Sequence, residues 1–340
     1  MAAQFDRPSA EIAIMVADGV PTIRRRRLVG VFASMMRYAS MDEEGHDGDM
    51  KRFVRTCGRS ETVATALAVA CGQGIDVTSE SRVTAITDPD VVEGTRKAFI
   101  DHRGKPEYNA NPVVDRDAEP IDSVRPSPRH EGLALYSSQL VRSIWTTCIV
   151  RVEINPGLPP TLAPTIELEK LRGVQRNLNT LSDFLNRNKP FIEEEIALHG
   201  EHRAMNSLAQ LINSIGEGIS FVLVLFDERL EDILAVLREE SRRKGRDLTF
   251  EQLFISAPGR ELAKELVKAI VNRNIANGSN VDSVAEALRR RCGSFCSADD
   301  VVIFKAQEQV KRASEAGGQS ETGRVLLNES QRLFQKVAGA

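Results

Sequence analysis

The chain has 340 residues, with 45 Lys and Arg against 48 Asp and Glu and a net charge of −3. That balance excludes a protein built chiefly to neutralise nucleic-acid phosphates, which would be markedly basic, and a 41% hydrophobic share excludes a wholly disordered chain. Aromatics at 5%, with one Trp and three Tyr, are few for a β-sandwich or propeller. The Leu- and Ala-rich, 27% charged composition predicts a mostly helical one.

In chain order, Pro8 and Ser9 predict the start of a short helix ending near Asp18-Gly19, and Pro21 the start of a second through Leu28, Val29, Phe32 and Met36 to about Tyr38. An acidic break follows, Asp42 to Asp49, then helices over about Met50 to Thr56 and Glu61 to Cys71. Asp88-Pro89 combines a capping carboxylate with a proline where no N–H is needed, so a helix runs from there to about His102. Five prolines between Pro106 and Pro128 interrupt a polar stretch, which reads as a flexible linker over 103–130. Leu133, Tyr136, Leu140 and Ile144 share one face of a helix expected over Glu131 to Val150, and a second proline break holds Pro156 to Pro164.

Leu168, Leu171, Val174, Leu178, Leu181 and Leu185 then recur at steps of three and four. That run lasts barely three heptads before Pro190, so a helix packed in a bundle or solenoid fits better than a coiled-coil seam. The string from Ile219 to Phe226 has strand-like residue types, but helical spacing continues through Leu208 and Leu211 upstream and Leu230, Ile233 and Leu237 downstream. It is read as helix, with a break near Asp227. Leu262, Leu266 and Ile270 mark the next helix, ended by Asn277-Gly278. Ser279-x-x-Asp282 and Ser297-x-x-Asp300 resemble capping boxes, and two helices follow over Val301 to Ala316 and Gly323 to Val337. The expected fold class is all-α: an irregular solenoid of ten to twelve stacked antiparallel helices, with no β-propeller. The expected organisation is an N-terminal helical segment (1–102), a proline-rich flexible linker (103–130) and an irregular solenoid segment (131–340).

Five cysteines form no disulfide framework, and the N-terminus lacks the basic stretch and apolar core of a secretory signal. The reducing interior of a cell is the expected compartment. No apolar run approaches the ~20 residues of a membrane span; the longest is Ile219 to Phe226. The sequons at Asn277 and Asn328 read as chance matches.

Chemistry is sparse. Arg24 to Arg27 could form a nuclear-localisation or phosphate patch, but a solvated helix face explains the run as well. Arg289 to Arg291 suit a helix C-terminus. Cys292 and Cys296 have no nearby His or Cys to complete a zinc site, so they read as packed thiols. His199 and His202, with Glu193, Glu194, Glu195 and Glu201, are the single His-carboxylate cluster, but they lack the HExxH spacing. There is no Walker loop, no GxGxxG after a strand and no GxSxG elbow. No catalytic, cofactor-binding or metal residue is assigned, no cofactor is expected, and the chain is read as a non-enzyme.

Several strings go further. RHEGLALYSSQLVRSIW (Arg129 to Trp145), LRGVQRNLNTLSDFLNRN (Leu171 to Asn188), EGISFVLVLFDE (Glu217 to Glu228), LTFEQL (Leu248 to Leu253), GRELAKELVKAIVNRNI (Gly259 to Ile275) and CGSFCSADDVVIFKAQEQVKRA (Cys292 to Ala313) resemble the nucleoporin 155/170 family of large non-FG inner-ring scaffolds. FDRPSAEIAIMVADGVPTIRRRRLVGVF (Phe5 to Phe32) is similar to the fungal type. The resemblance implies a middle piece of a longer scaffold, at the start and centre of its solenoid. It also implies partners among other nucleoporins, a place in the nuclear pore complex and no direct membrane contact for this segment. Under it, Trp145 fills a gap between helices. An α-solenoid adaptor of vesicle-coat or trafficking machinery is the alternative role, and a helical enzyme using the His199/His202 cluster a third.

Overall fold

The computed structural model describes residues 10–39, 43–73, 89–101, 107–108, 124–157, 160–189, 199–276 and 280–338. Helices dominate: fourteen are described, with three two-stranded antiparallel ribbons. The chain divides into two compact units, one of Met1–Ser143 with Arg176–Asn213 and one of Ile144–Gln175 with Ser214–Ala340.

The first unit opens with a ribbon in place of the expected first helix. Strands β1 (Glu11–Ala13) and β2 (Thr22–Arg24) pair with Ile12 opposite Ile23, and the chain reverses at Asp18-Gly19. Ile12, Ile14 and Val16 alternate at period two, and β-branched residues in that pattern favour a strand over a helix. Helices α1 (Leu28–Ala39), α2 (Glu43–Cys57), α3 (Arg59–Ala70), α4 (Pro89–Asp101) and α5 (Pro128–Val141) follow. The expected acidic break is helical from Glu43 on: carboxylates suit the positive N-terminal end of a helix, which offsets the glycines. Asp88, the expected cap of α4, lies outside the described residues, and α4 itself runs as expected. Of the 103–130 linker the structure describes 107–108 and 124–130, where β3 (Glu107–Tyr108) pairs with β4 (Val124–Arg125).

Helix α3 is the centre of this unit, with every residue from Thr62 to Val69 buried. Alanines and threonines make that possible, because small side chains let neighbouring helices approach on all sides. Gly132 of α5 is the tightest approach: a Cβ there would sit 2.5 Å from Val63 Cγ1. Phe32 meets Phe53 edge-on at 5.1 Å, and Phe99 meets Phe184 at 5.7 Å. Helix α5 starts at Pro128 because Ser127 caps it, accepting the His130 N–H at 3.4 Å. It ends at Val141, short of the expected Val150; a turn then leads into a strand.

In the second unit, β5 (Val150–Glu153) and β6 (Thr161–Pro164) make a ribbon across the second proline break. The Ile149 N–H donates to the Leu248 carbonyl at 2.9 Å and the Glu251 N–H to that of Trp145 at 2.9 Å, which ties this corner to the later helices. Helices α6 (Leu168–Arg187) and α7 (His199–Asp227) supply residues to both units, as the leucine spacing and the continued period predict. Then come α8 (Leu230–Ala235), α9 (Glu239–Asp247), α10 (Phe250–Ile255), α11 (Ala257–Ala276), α12 (Val281–Arg291), α13 (Ala298–Glu315) and α14 (Glu321–Ala338). The break at Asp227 is real: Arg229 takes a left-handed φ of 59° between α7 and α8.

Aromatic rings fill the second core. Phe221 and Phe295 stack at 5.0 Å and 7°, and Phe250 lies 5.9 Å from Phe254. Gly218 faces the Phe254 ring so closely that a Cβ would lie 2.4 Å from it. The Ser297–Asp300 capping box forms, and a second, Thr249 with Gln252, starts α10. Helix α12 is capped by Asn280, whose side-chain oxygen accepts the Asp282 N–H at 2.7 Å. Ser279 and Asn277-Gly278 lie outside the described residues. Helix α7 is long and apolar enough to cross a membrane by length and composition over Glu201–Asp227, although no single apolar run in it is. Its apolar side chains from Ile215 to Leu225 are buried in the protein, as in a core helix.

Candidate interaction surface

Glu193 to Glu195 lie outside the described residues. His202 sits on α7 with its Nε2 2.9 Å from the Asn206 side-chain amide, one helical turn on. Among the described residues no three His, Cys, Asp or Glu side chains gather around a point that could hold a metal. Arg24 to Arg27 do not lie on a helix face as expected: Arg24 is in β2, ion-paired with Glu11, and the run ends before α1 begins. The period-two pattern upstream places the first arginine in a ribbon, and the other three lead from it into α1. Arg289 to Arg291 do occupy the last turn of α12; Arg289 and Arg290 pair with Glu286, and Arg291 with Asp227 at 2.9 Å.

Cys292 and Cys296 are fully buried, and burial pushes their thiols up to about 12 and about 11. A thiol held that far above neutrality is a poor nucleophile at pH 7. Cys71 is likewise pushed up to about 12 by burial, beside the wholly buried Tyr136, whose phenol burial raises well above 10. The two side chains lie beside each other inside the first unit. Trp145 is only half-buried, with its ring tilted 6.0 Å from Phe254, so it covers the edge of the aromatic core and does not fill its middle.

What remains is surface. The β1–β2 ribbon exposes Ile12, Ile14, Met15, Val16, Val20 and Ile23 together. In the second unit a groove of about 640 Å³ opens between the end of α8 and the outer face of α11. Val236, Leu237 and Arg238 form one lip, and Glu265, Lys268, Ala269, Asn272 and Arg273 the other. Val236 is 67% exposed although it is apolar. The guanidinium of Arg242 fixes the first lip, donating to the carbonyls of Leu234 at 3.1 Å, Ala235 at 2.9 Å and Leu237 at 3.3 Å. Arg273 fixes the second, holding Asp232 at 2.8 Å and the Glu228 carbonyl. No sequence motif marks this groove; its lips are about thirty residues apart and meet only through helix packing.

Comparison with known proteins decides what such surfaces belong to. Residues 127–340 match the family of non-repetitive/WGA-negative nucleoporins, over its C-terminal part. The chain belongs to this nucleoporin family. It is 46% identical to nucleoporin NUP170 of Chaetomium thermophilum over 100% of this chain and 24% of that protein. It is 33% identical to a probable nucleoporin of Schizosaccharomyces pombe over 99% of this chain and 28% of that one. The crystal structure of the Chaetomium thermophilum Nup170 SOL matches with a TM-score of 0.67 and 45% identity, over 92% of this chain and 39% of that chain. A Nup170 NTD–Nup53 complex from the same organism matches with a TM-score of 0.65 and 42% identity, over 80% of this chain and 35% of that one. The chain thus spans about a quarter of the length of the curated nucleoporins it matches. The nucleoporin resemblance and the all-α solenoid class expected from sequence both stand.

Proposed function

We propose that this chain is a segment of the nuclear pore scaffold at the nuclear envelope, and that it works by holding other nucleoporins on its helical surfaces in support of nucleocytoplasmic transport. The observation that carries this reading is the 46% identity to a nucleoporin along the whole chain, the apolar ribbon and the grooved second unit included. The solved relative that matches 80% of this chain is a complex with Nup53, and the partners proposed here are of the same kind. The role is mechanical and not catalytic. Several chemistry-bearing groups among the described residues are buried or paired: the thiols of Cys71, Cys292 and Cys296 are masked by burial, and the arginines at the end of α12 are spent on Glu286 and Asp227.

The test is to tag the chromosomal gene and image it with a nuclear-rim marker, then recover its partners. A punctate rim and co-purification of other nucleoporins are expected. A diffuse cytosolic or vesicular pattern would overturn the proposal.

A further inference from the structure

We infer that the groove between α8 and α11 is a docking site for a short linear peptide carrying an apolar side chain flanked by carboxylates. The floor and lips offer Val236, Leu237 and Ala269 as apolar contacts. An apolar side chain laid there removes the exposed Val236 surface from water, which is the usual driving force for a small site of this volume. The charges around it are unequal. Arg273 is occupied by Asp232 and the Glu228 carbonyl, so its charge is spent. Arg238 and Lys268 form no ion pair among the described residues, and both are exposed. Glu265 is the single carboxylate on the lining. Two unspent cations therefore face one carboxylate. The surplus is positive, and an acidic peptide complements it.

Other ligands fit less well. A nucleic acid would use the two cations but not the apolar floor, and its phosphates would meet Glu265. A basic peptide would meet Arg238 and Lys268 with like charge. The Asn272 amide, on the exposed face of α11, can donate to or accept from a peptide backbone. Both lips are held by arginine bonds to backbone carbonyls, so little ordering is needed when a peptide binds.

This inference rests on the scaffold proposal for the source of the peptide, not for the groove's chemistry, and the experiment keeps the two apart. Three fluorescein-labelled twelve-residue peptides are titrated into the purified full chain by anisotropy. One has two Leu flanked by Asp, one has the same Leu flanked by Lys, and one has the Asp peptide's charges with Ala in place of Leu. The Asp–Leu peptide should bind at least tenfold more tightly than either other, and weaken as salt rises. Arg238→Glu with Lys268→Glu should abolish that preference or reverse it toward the Lys peptide. Should the double variant lose helicity, Lys268→Glu alone, at an exposed position, should cost several-fold. Equal binding of the three peptides, an unchanged preference in the Lys268→Glu variant, or tighter binding of a labelled oligouridylate would overturn the inference. The scaffold proposal fails separately, by a missing nuclear-rim signal, whether or not the peptide binds.

Discussion

Nine of the ten buried polar or charged residues described lie in the first unit, among them Thr62, Thr65, Arg129, Gln139 and Glu201; only Ser330 lies in the second. The second unit instead buries stacked and tilted rings: Phe221 on Phe295, and Phe250 beside Phe254. The two cores are specified by different forces. In the first, buried hydroxyls are satisfied locally: Thr62 and Thr65 return to carbonyls one turn back, each at 2.7 Å. The Ser60 hydroxyl donates to Glu131 at 2.6 Å, and the Arg129 guanidinium lies 5.8 Å from the Phe99 ring centre. A polar core of this kind penalises wrong pairings, because an unpaired buried group costs about 1–3 kcal/mol. The aromatic core gains from area and ring geometry, at about 0.5–1.5 kcal/mol per pair beyond burial.

The comparison can be broken by mutation, and the chain carries its own reporters. Its one Trp, Trp145, is in the second unit, and its three Tyr, Tyr38, Tyr108 and Tyr136, are in the first. The largest effect is expected from Phe221→Ala, which empties one half of the stacked pair and should cost about 3–5 kcal/mol. Denaturant unfolding followed by Trp fluorescence should show it; a midpoint left in place would mean the rings are not the core of that unit. Ser60→Ala should cost about 1–3 kcal/mol, because the half-buried Glu131 carboxylate loses the Ser60 hydroxyl donor. Tyrosine absorbance should report that loss, and a neutral result would deny the polar network its specifying role.

Trp145→Ala should cost about 2 kcal/mol, less than the ~3–5 for a fully buried Trp, since part of the side chain is already in water. Thermal melting by circular dichroism measures it, and a full core penalty would place the ring deeper than described. Ser297→Ala removes the cap of α13 and should cost about 1 kcal/mol in the same melt.

The smallest effect is a pH dependence of the first unit. Burial lowers the His130 pKa from 6.5, while the charges of Glu201 and Glu131 pull it back up. Below about 6.5 the unfolded chain then binds more protons than the folded one. Stability is therefore lost as the pH falls from there to the lowered folded value, and is fully present above it. His130→Gln should flatten the tyrosine-detected unfolding midpoint between pH 7 and pH 5.5; an equally steep variant would assign the loss to another group.

Period and punctuation made much of the helical fold legible. The leucine ladder of α6 and the continued spacing of α7 needed no tertiary information, because a helix buries one stripe and the stripe is written at steps of three and four. The β1–β2 ribbon was readable in principle from Ile12, Ile14 and Val16 before Asp18-Gly19, but Pro8 and Ser9 also make a plausible helix start and competed with it. The end of α5 was not readable, since Leu133 to Ile144 keep helical spacing beyond Val141, where hydrogen bonds to Leu248 and Phe250 take over the backbone. Trp145 was misplaced for a related reason: ring size predicts burial, but the turn that carries it decides how much. The groove was invisible in the sequence, because exposure of Val236 and the unspent charge of Lys268 are properties of a packed surface and not of a string.

The thiols of the chain also set what can be attached to it. Burial raises the pKa of Cys71, Cys292 and Cys296 to about 11–12 and, with the charge of Glu61, raises that of Cys57, while Cys148 is exposed. Since the thiolate is the species that alkylates, a maleimide dye at neutral pH should couple to the exposed Cys148 ahead of Cys71, Cys292 and Cys296. The unmutated protein therefore offers one optical handle, beside the Thr249 bridge that leads into α10.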